Sequence, residues 1–254
     1  MYHESVDAAA QLGVRKVAFL KKNPLGYFIA SMLAGIYVGL GIILIFSIGA
    51  PFAQVSSPAV KLVMGASFGL ALTLVVFAGS ELFTGNAMYL TFSCLNRQTN
   101  IRDLLNVWVV SWVGNLTGSL AVAWLVVVAG SIDHALPMIG KVTAAKMSVA
   151  PAALVARGLL CNLLVCLALW TAGRTRSDAA KILLICLCLF AFIGSGFEHS
   201  VANMSLLGIG LFVHAGADIS WSGYFYNLLW VTLGNILGGA VVLAGAYQLA
   251  SRKD

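Results

Sequence analysis

No aspartate, glutamate, lysine or arginine interrupts the chain from Leu25 to Val60, from Leu104 to Ile132 or from Ile219 to Ser251. Apolar runs of this length have one physical solution. A bilayer core needs about 20 helical residues, and within it every backbone N–H and C=O must be satisfied inside the segment. Strands of a membrane barrel take only about 9–11 residues, so the runs are helices. Composition agrees: 60% of the 254 residues are hydrophobic, 9% are charged and the mean hydropathy is +0.94. That balance excludes a water-soluble domain and a disordered chain alike.

Six elements are expected, over residues 25–49, 62–93, 104–130, 151–173, 182–213 and 224–249. Pro24 and Pro151 stand where the first turn of a helix accepts proline. The cations gather on one side: Arg15, Lys16, Lys21 and Lys22 before the first element, Arg97 and Arg102 after the second, Arg174, Arg176 and Lys181 after the fourth, and Arg252 and Lys253 at the end. Lys61, Lys141, Lys146 and Arg157 fall on the other side. The positive-inside rule then places both termini in the cytoplasm. The net charge of +6 is therefore a topology signal and gives no reason to expect a nucleic-acid partner. Residues 1–24 are expected to form a cytoplasmic interfacial segment with an apolar stripe of Val6, Ala10, Val17 and Leu20. Residues 25–251 form a single transmembrane domain and 252–254 a cytoplasmic tail. The five cysteines contain no CxxC spacing, so neither a metal nor a cofactor is expected.

The second and fifth elements are too long. Each covers 32 residues; at ~1.5 Å per residue a straight helix would reach about 48 Å, against a ~30 Å hydrocarbon core. Two passes would need more chain, so each is read as one pass with a break. The breaks match: Glu81-Leu82-Phe83-Thr84-Gly85-Asn86 and Glu198-His199-Ser200-Val201-Ala202-Asn203 both read Glu, four residues, Asn. Gly114-Asn115-Leu116-Thr117-Gly118 is echoed in the same order by Gly234-Asn235-Ile236-Leu237-Gly238. A repeat of three spans inserts its second copy upside down. The fold expected is thus an all-α membrane protein of six helices in a 3+3 inverted repeat, and such folds hold substrate where broken helices meet.

His199 is the one histidine placed inside a break, and an ionisable group within the membrane faces a cavity or conduction path more often than a packed core. Thr84 offers a hydroxyl in the other break, or bonds back to its own helix. Glu81 and Glu198 are either proton or cation sites or, as their equivalent positions favour, acceptors for loop N–H groups that hold the breaks in shape. Asn86 and Asn203 fit as caps of the half-helices that follow. Lys146 and Lys141 could concentrate anions at a pore mouth or be ordinary solvated lysines. Asn162, an isolated amide in mid-span, should face a partner helix or a lumen.

Glu81-Leu82-Phe83-Thr84, Ser195-Gly196-Phe197-Glu198-His199-Ser200-Val201-Ala202-Asn203 and Gly234-Asn235 together resemble the formate/nitrite transporter family, and the resemblance runs from Asn23-Pro24-Leu25-Gly26 to the last span. Tyr37-Val38-Gly39-Leu40-Gly41-Ile42-Ile43-Leu44 and Leu228-Leu229-Trp230-Val231-Thr232-Leu233-Gly234-Asn235 look most like its nitrite-channel branch. The resemblance implies an aquaporin-like protomer in a homopentamer of the cytoplasmic (inner) membrane, each protomer with its own pore for a small monovalent anion. It makes His199 the central histidine, Thr84 the threonine of the first break, Lys146 a vestibule lysine and Asn162 a pore asparagine. It places Phe68, Leu72, Leu82, Phe83, Val165 and Phe192 at apolar constrictions. The transport implied is that of nitrite, passive or proton-coupled, with formate and hydrosulfide as alternatives. Two rivals are an aquaporin-type neutral-solute channel, which lacks its Asn-Pro-Ala signature here, and a membrane enzyme or haem protein using His199 and His214.

Overall fold

The computed structural model describes residues 2–251, which among themselves form helices and connecting turns with no strand. In chain order the helices are α1 (His3–Lys22), α2 (Pro24–Gln54), α3 (Val60–Ser67), α4 (Gly69–Leu74), a π-helical turn (Val75–Gly79), α5 (Phe83–Leu95) and α6 (Ile101–Val128). A 3-10 turn (Asp133–Ala135) then leads to α7 (Leu136–Met147), α8 (Pro151–Ala172), α9 (Asp178–Ser195), α10 (Ser200–Phe212), α11 (Trp221–Ile236), a second π-helical stretch (Leu237–Gly245) and α12 (Ala246–Ala250). Six of these segments are long and apolar enough to cross a bilayer: 24–54, 60–79, 101–128, 151–172, 178–195 and 221–250. The tail at 252–254 lies outside the described residues.

Local chemistry accounts for where the helices differ from expectation. α6 starts three residues early because Asn100 and Asp103 form a capping box, each side chain bonded to the other's backbone N–H (2.9 and 3.4 Å). α9 starts early on Ser177, whose Oγ accepts from the Ala180 N–H at 3.3 Å. α2 runs five residues past its expected end, straight through Pro51. A proline in a helix leaves the carbonyl four residues earlier without its donor. Here that carbonyl is Ser47's, and the His134 ring reaches it through Nε2 at 3.0 Å. His134 thus repairs the helix around Pro51.

The two halves pack alike. α2 lies along α6, and α8 along α11. A Cβ at Gly118 would strike the Met32 carbonyl, and one at Gly238 the Leu159 carbonyl. These are the last residues of the two Gly-Asn-x-x-Gly motifs, so the repeated glycines mark the same close helix approach in each half. Large side chains such as Leu105, Val109, Leu125, Leu187, Leu229 and Val241 stay exposed around the outside, the surface expected where lipid or another apolar face replaces water. The stripe on α1 differs from the interfacial reading: Val6, Ala9, Ala10, Gly13 and Val17 are buried against protein, Val6 and Ala10 beside Met88, Phe92 and Trp170 and Val17 beside Leu90 and Val107. α1 is part of the packed body because its small residues let it sit directly on α5.

Candidate functional site

Both long elements are interrupted, at residues 80–82 and at 196–199. Each break opens at a left-handed glycine two residues before a glutamate, Gly79 (φ 79°) and Gly196 (φ 73°). Each then hangs on the same set of bonds. The Glu81 N–H donates to the Ala30 carbonyl at 3.1 Å, and the Glu198 N–H to the Arg157 carbonyl at 3.3 Å. Asn115 Oδ1 accepts the Phe83 N–H at 2.9 Å, while its Nδ2 donates to the Ser31 (2.7 Å) and Glu81 (2.9 Å) carbonyls. Asn235 does the same for the second break: Oδ1 accepts the Ser200 N–H at 2.9 Å, and Nδ2 donates to the Gly158 (2.8 Å) and Glu198 (3.0 Å) carbonyls. Two fully buried asparagines therefore satisfy the backbone that each break frees, as unwound chain inside a membrane requires.

This corrects the expected roles of four residues. Asn86 and Asn203 do not cap the half-helices; both already lie inside α5 and α10, and the first N–H of each half-helix goes to Asn115 or Asn235. Glu81 and Glu198 do not collect loop N–H groups with their carboxylates. Glu81 Oε2 accepts from Lys16 Nζ (2.7 Å), the Tyr27 hydroxyl (2.8 Å) and Asn86 Nδ2 (3.2 Å). Glu198 Oε2 accepts from Lys146 Nζ and Asn203 Nδ2, both at 2.6 Å, and Asn203 Nδ2 also donates to Asn227 Oδ1 at 2.8 Å. Lys146 is thereby ion-paired to a carboxylate only 3% exposed, so this lysine presents no free charge to a mouth of the pore. Lys16, Tyr27, Asn115, Asn227 and Asn235 were not singled out for these roles from sequence. The repeated Gly-Asn pairs carried the signal for Asn115 and Asn235, by the argument already applied to Asn162.

The chemistry at the two breaks is not repeated. His199 is the N-cap of α10, and its Nδ1 accepts the Ala202 N–H at 3.1 Å. A ring nitrogen that accepts carries no proton, so the neutral ring keeps its proton on Nε2. Nε2 lies 2.9 Å from Thr84 Oγ1, and the hydrogen bond runs from imidazole to hydroxyl, joining the two half-helices. At the position equivalent to His199 stands Leu82, the N-cap of α5, which offers no side-chain bond.

His199 closes a cavity of about 10 Å³, room for about one water, whose other lining residues are Val38, Phe68, Ala71, Leu72, Leu82, Val165, Leu189 and Phe192. The imidazole is the one nitrogen- or oxygen-bearing side chain among them. Phe68 and Phe192 meet edge to face with centroids 5.4 Å apart, and Phe192 lies 6.1 Å from the imidazole. Five of the six expected constriction residues line this cavity. Phe83 does not; it packs edge-on against Trp108 at 6.4 Å. Asn162 does not line the cavity either, and makes no hydrogen bond to His199. Its Nδ2 donates to the Thr84 (3.1 Å) and Asn235 (2.6 Å) carbonyls, so it binds α5 and α11 to α8 behind the lumen. On the side of α1, a cavity of about 450 Å³ opens outward past Lys16, Glu81 and Lys181, and Leu82 lines both cavities. Leu82 is the wall between them.

The profile of the formate/nitrite transporter family matches residues 3–249. The chain is 43% identical over 258 residues to the nitrite transporter NirC of Escherichia coli K12, covering all of this chain and 94% of that one. It is 42% identical over 260 residues to a probable formate transporter of Methanothermobacter thermautotrophicus, covering 94% of each. Among solved structures, one titled an FNT family ion channel superposes with a TM-score of 0.93 at 42% identity, over 98% of this chain and 99% of that one. A pentameric formate channel with formate bound gives 0.73 at 28% identity, over 92% and 99%. Two interrupted helices tied by matched asparagines, a histidine–threonine bond between them and this likeness along the whole length lead to one conclusion: the chain belongs to the formate/nitrite transporter family.

Proposed function

We propose that this protein carries nitrite, and like small monovalent anions, across the cytoplasmic membrane through a pore in each protomer of a homopentamer, with the α1 face in the cytoplasm. The observation that carries the reading is the His199–Thr84 bond at the head of an otherwise apolar lumen. NirC of Escherichia coli, a nitrite transporter by name, is the relative that favours nitrite over formate. The exposed apolar belt and the pentameric neighbour support the assembly, and the cation-rich loops on the α1 side support the orientation.

The physical obstacle is desolvation, since a bare anion entering a greasy constriction loses hydration worth many kcal/mol. Neutral His199 answers it with one donor aimed between the half-helices. When an anion reaches the cavity, Nε2–H exchanges Thr84 Oγ1 for an anion oxygen, and the freed Thr84 hydroxyl can turn to donate as well. A second proton on Nδ1 would set N–H against the Ala202 N–H at the positive end of α10. The ring therefore acts as a fixed hydrogen-bond donor, and any proton travelling with nitrite comes from the aqueous phase. Nitrous acid escapes the charge penalty, so flux falls as pH rises.

Proteoliposome uptake tests this. His199→Phe should lower nitrite flux by about two orders of magnitude, the scale of losing a charge-assisted hydrogen bond of ~2–3 kcal/mol. His199→Asn, which keeps a donor, should retain part of the flux and the wild-type pH profile. A flat pH profile in His199→Asn would make the ring proton the one transferred. Unchanged uptake in His199→Phe would end the reading.

A further inference from the structure

The 450 Å³ cavity on the α1 side is far larger than a three-atom anion requires, and three ionised side chains line it: Lys16, Glu81 and Lys181. Lys16 and Glu81 cancel each other. Their atoms lie 2.7 Å apart, the side chains are 16% and 13% exposed, and Lys16 also sits 5.6 Å over the Tyr89 ring. Lys181 is differently placed. Among the described residues it pairs with Asp178 alone, three residues earlier on α9, at 2.8 Å, and the carboxylate is 70% exposed. Such a pair in water is worth little. Asp178 lies in the first turn of α9, where the helix N-terminus stabilises a carboxylate without help from a lysine. Lys181 can therefore leave Asp178 at small cost and turn to an anion entering the cavity. Lys146, held by a carboxylate 3% exposed, has no such freedom.

We infer that Lys181 is the anion-capturing residue of the cytoplasmic mouth, an inference that rests on the anion-channel reading above. It makes capture one-sided. A pore at zero voltage and equal pH has the same low-concentration permeability in both directions, so sidedness shows in the half-saturation concentration at each face. Asp178 competes with the anion for the same ammonium, which gives the two residues opposite effects.

Nitrite flux measured from each face, in inside-out and right-side-out vesicles at low ionic strength, tests the inference. Lys181→Ala should raise half-saturation from the cytoplasmic face about threefold and Lys181→Glu about tenfold, the range of one or two unit charges acting through water at several ångströms. Asp178→Asn should lower it. Half-saturation from the opposite face should stay unchanged in all three, and the differences should shrink in about 0.5 M of an impermeant salt as screening shortens. An unchanged value for Lys181→Glu, or an equal rise at both faces, overturns the inference while wild-type flux stands. Absence of nitrite flux in the wild type fails the channel reading instead.

Discussion

The two interrupted helices share their scaffold and differ in their chemistry. Glycine in the left-handed region, a glutamate bonded through its backbone to a neighbouring helix, an asparagine from a third helix and a lysine on the carboxylate recur at both breaks. At the N-cap the likeness stops, with Leu82 in one and His199 in the other. Thr84 likewise has Val201 as its counterpart. The repeat supplies a rigid frame in which two half-helix N-termini meet. Function then needs one polar group in that frame and an apolar partner opposite it. A second histidine at Leu82 would add a hydrophilic stop to a path that must let the anion go.

The sharpest way to break this comparison is to remove the asparagine ties. Asn115→Leu and Asn235→Leu each leave one N–H and one carbonyl of the break unpaired in a buried site, Phe83 N–H with the Glu81 carbonyl or Ser200 N–H with the Glu198 carbonyl, while the Ser31 and Gly158 carbonyls keep their bonds within α2 and α8. At about 1–3 kcal/mol per orphaned group, each should cost roughly 2–6 kcal/mol, enough to lower the melting temperature in detergent by at least ~5 °C or to prevent assembly. The losses should be equal. If Asn235→Leu is severe and Asn115→Leu mild, the first break has support other than the bonds described here, and the scaffold is not symmetric.

The glutamates should separate the halves instead. Glu198→Gln strands Lys146 beside a carboxylate site 3% exposed, and breaking a buried pair costs about 3–5 kcal/mol. Glu81 is 13% exposed, and Lys16, though no more exposed than Lys146 (16% against 19%), lines the 450 Å³ cavity that opens outward, so water can reach it and the cost of Glu81→Gln should be smaller. Thermal melts of the two variants, measured side by side, decide it. Equal destabilisation would mean that solvent reaches both pairs alike.

How much of this could be read from sequence depends on whether a feature repeats locally or is made by distant contacts. The spans, the breaks and the inverted repeat were legible, because charge-free length and the Glu-x4-Asn and Gly-Asn echoes are properties of the chain itself. His199 and Thr84 were legible as residues inside breaks. Their direct bond was not, since it joins positions brought together only by folding. The roles of Lys146 and Lys16 failed to show for the same reason: a lysine's charge is available or cancelled according to a carboxylate far away in sequence. Asn86 and Asn203 misled because they stand near half-helix starts, where amides commonly cap, yet the chain enters the helix three residues sooner. Phe83 misled because neighbours on a helix point in different directions, and Leu82 faces the lumen while Phe83 faces α6.

The smallest effect tests the most local part of the shared frame. Gly79 and Gly196 each hold φ near +75° with open space where a Cβ would stand (79° and 73°, nothing within 4 Å). An alanine there meets no neighbour, so its cost is the backbone's alone, about 1–2 kcal/mol for a non-glycine residue in the left-handed region. Gly79→Ala and Gly196→Ala should therefore lower the melting temperature by the same few degrees, roughly 2–4 °C per kcal/mol for a chain of this size. They should leave the pH profile of flux as it is, because a Cβ at either position meets no atom of His199. A larger loss in Gly79→Ala would locate extra strain in the π-helical turn that Gly79 ends, a feature the second break does without.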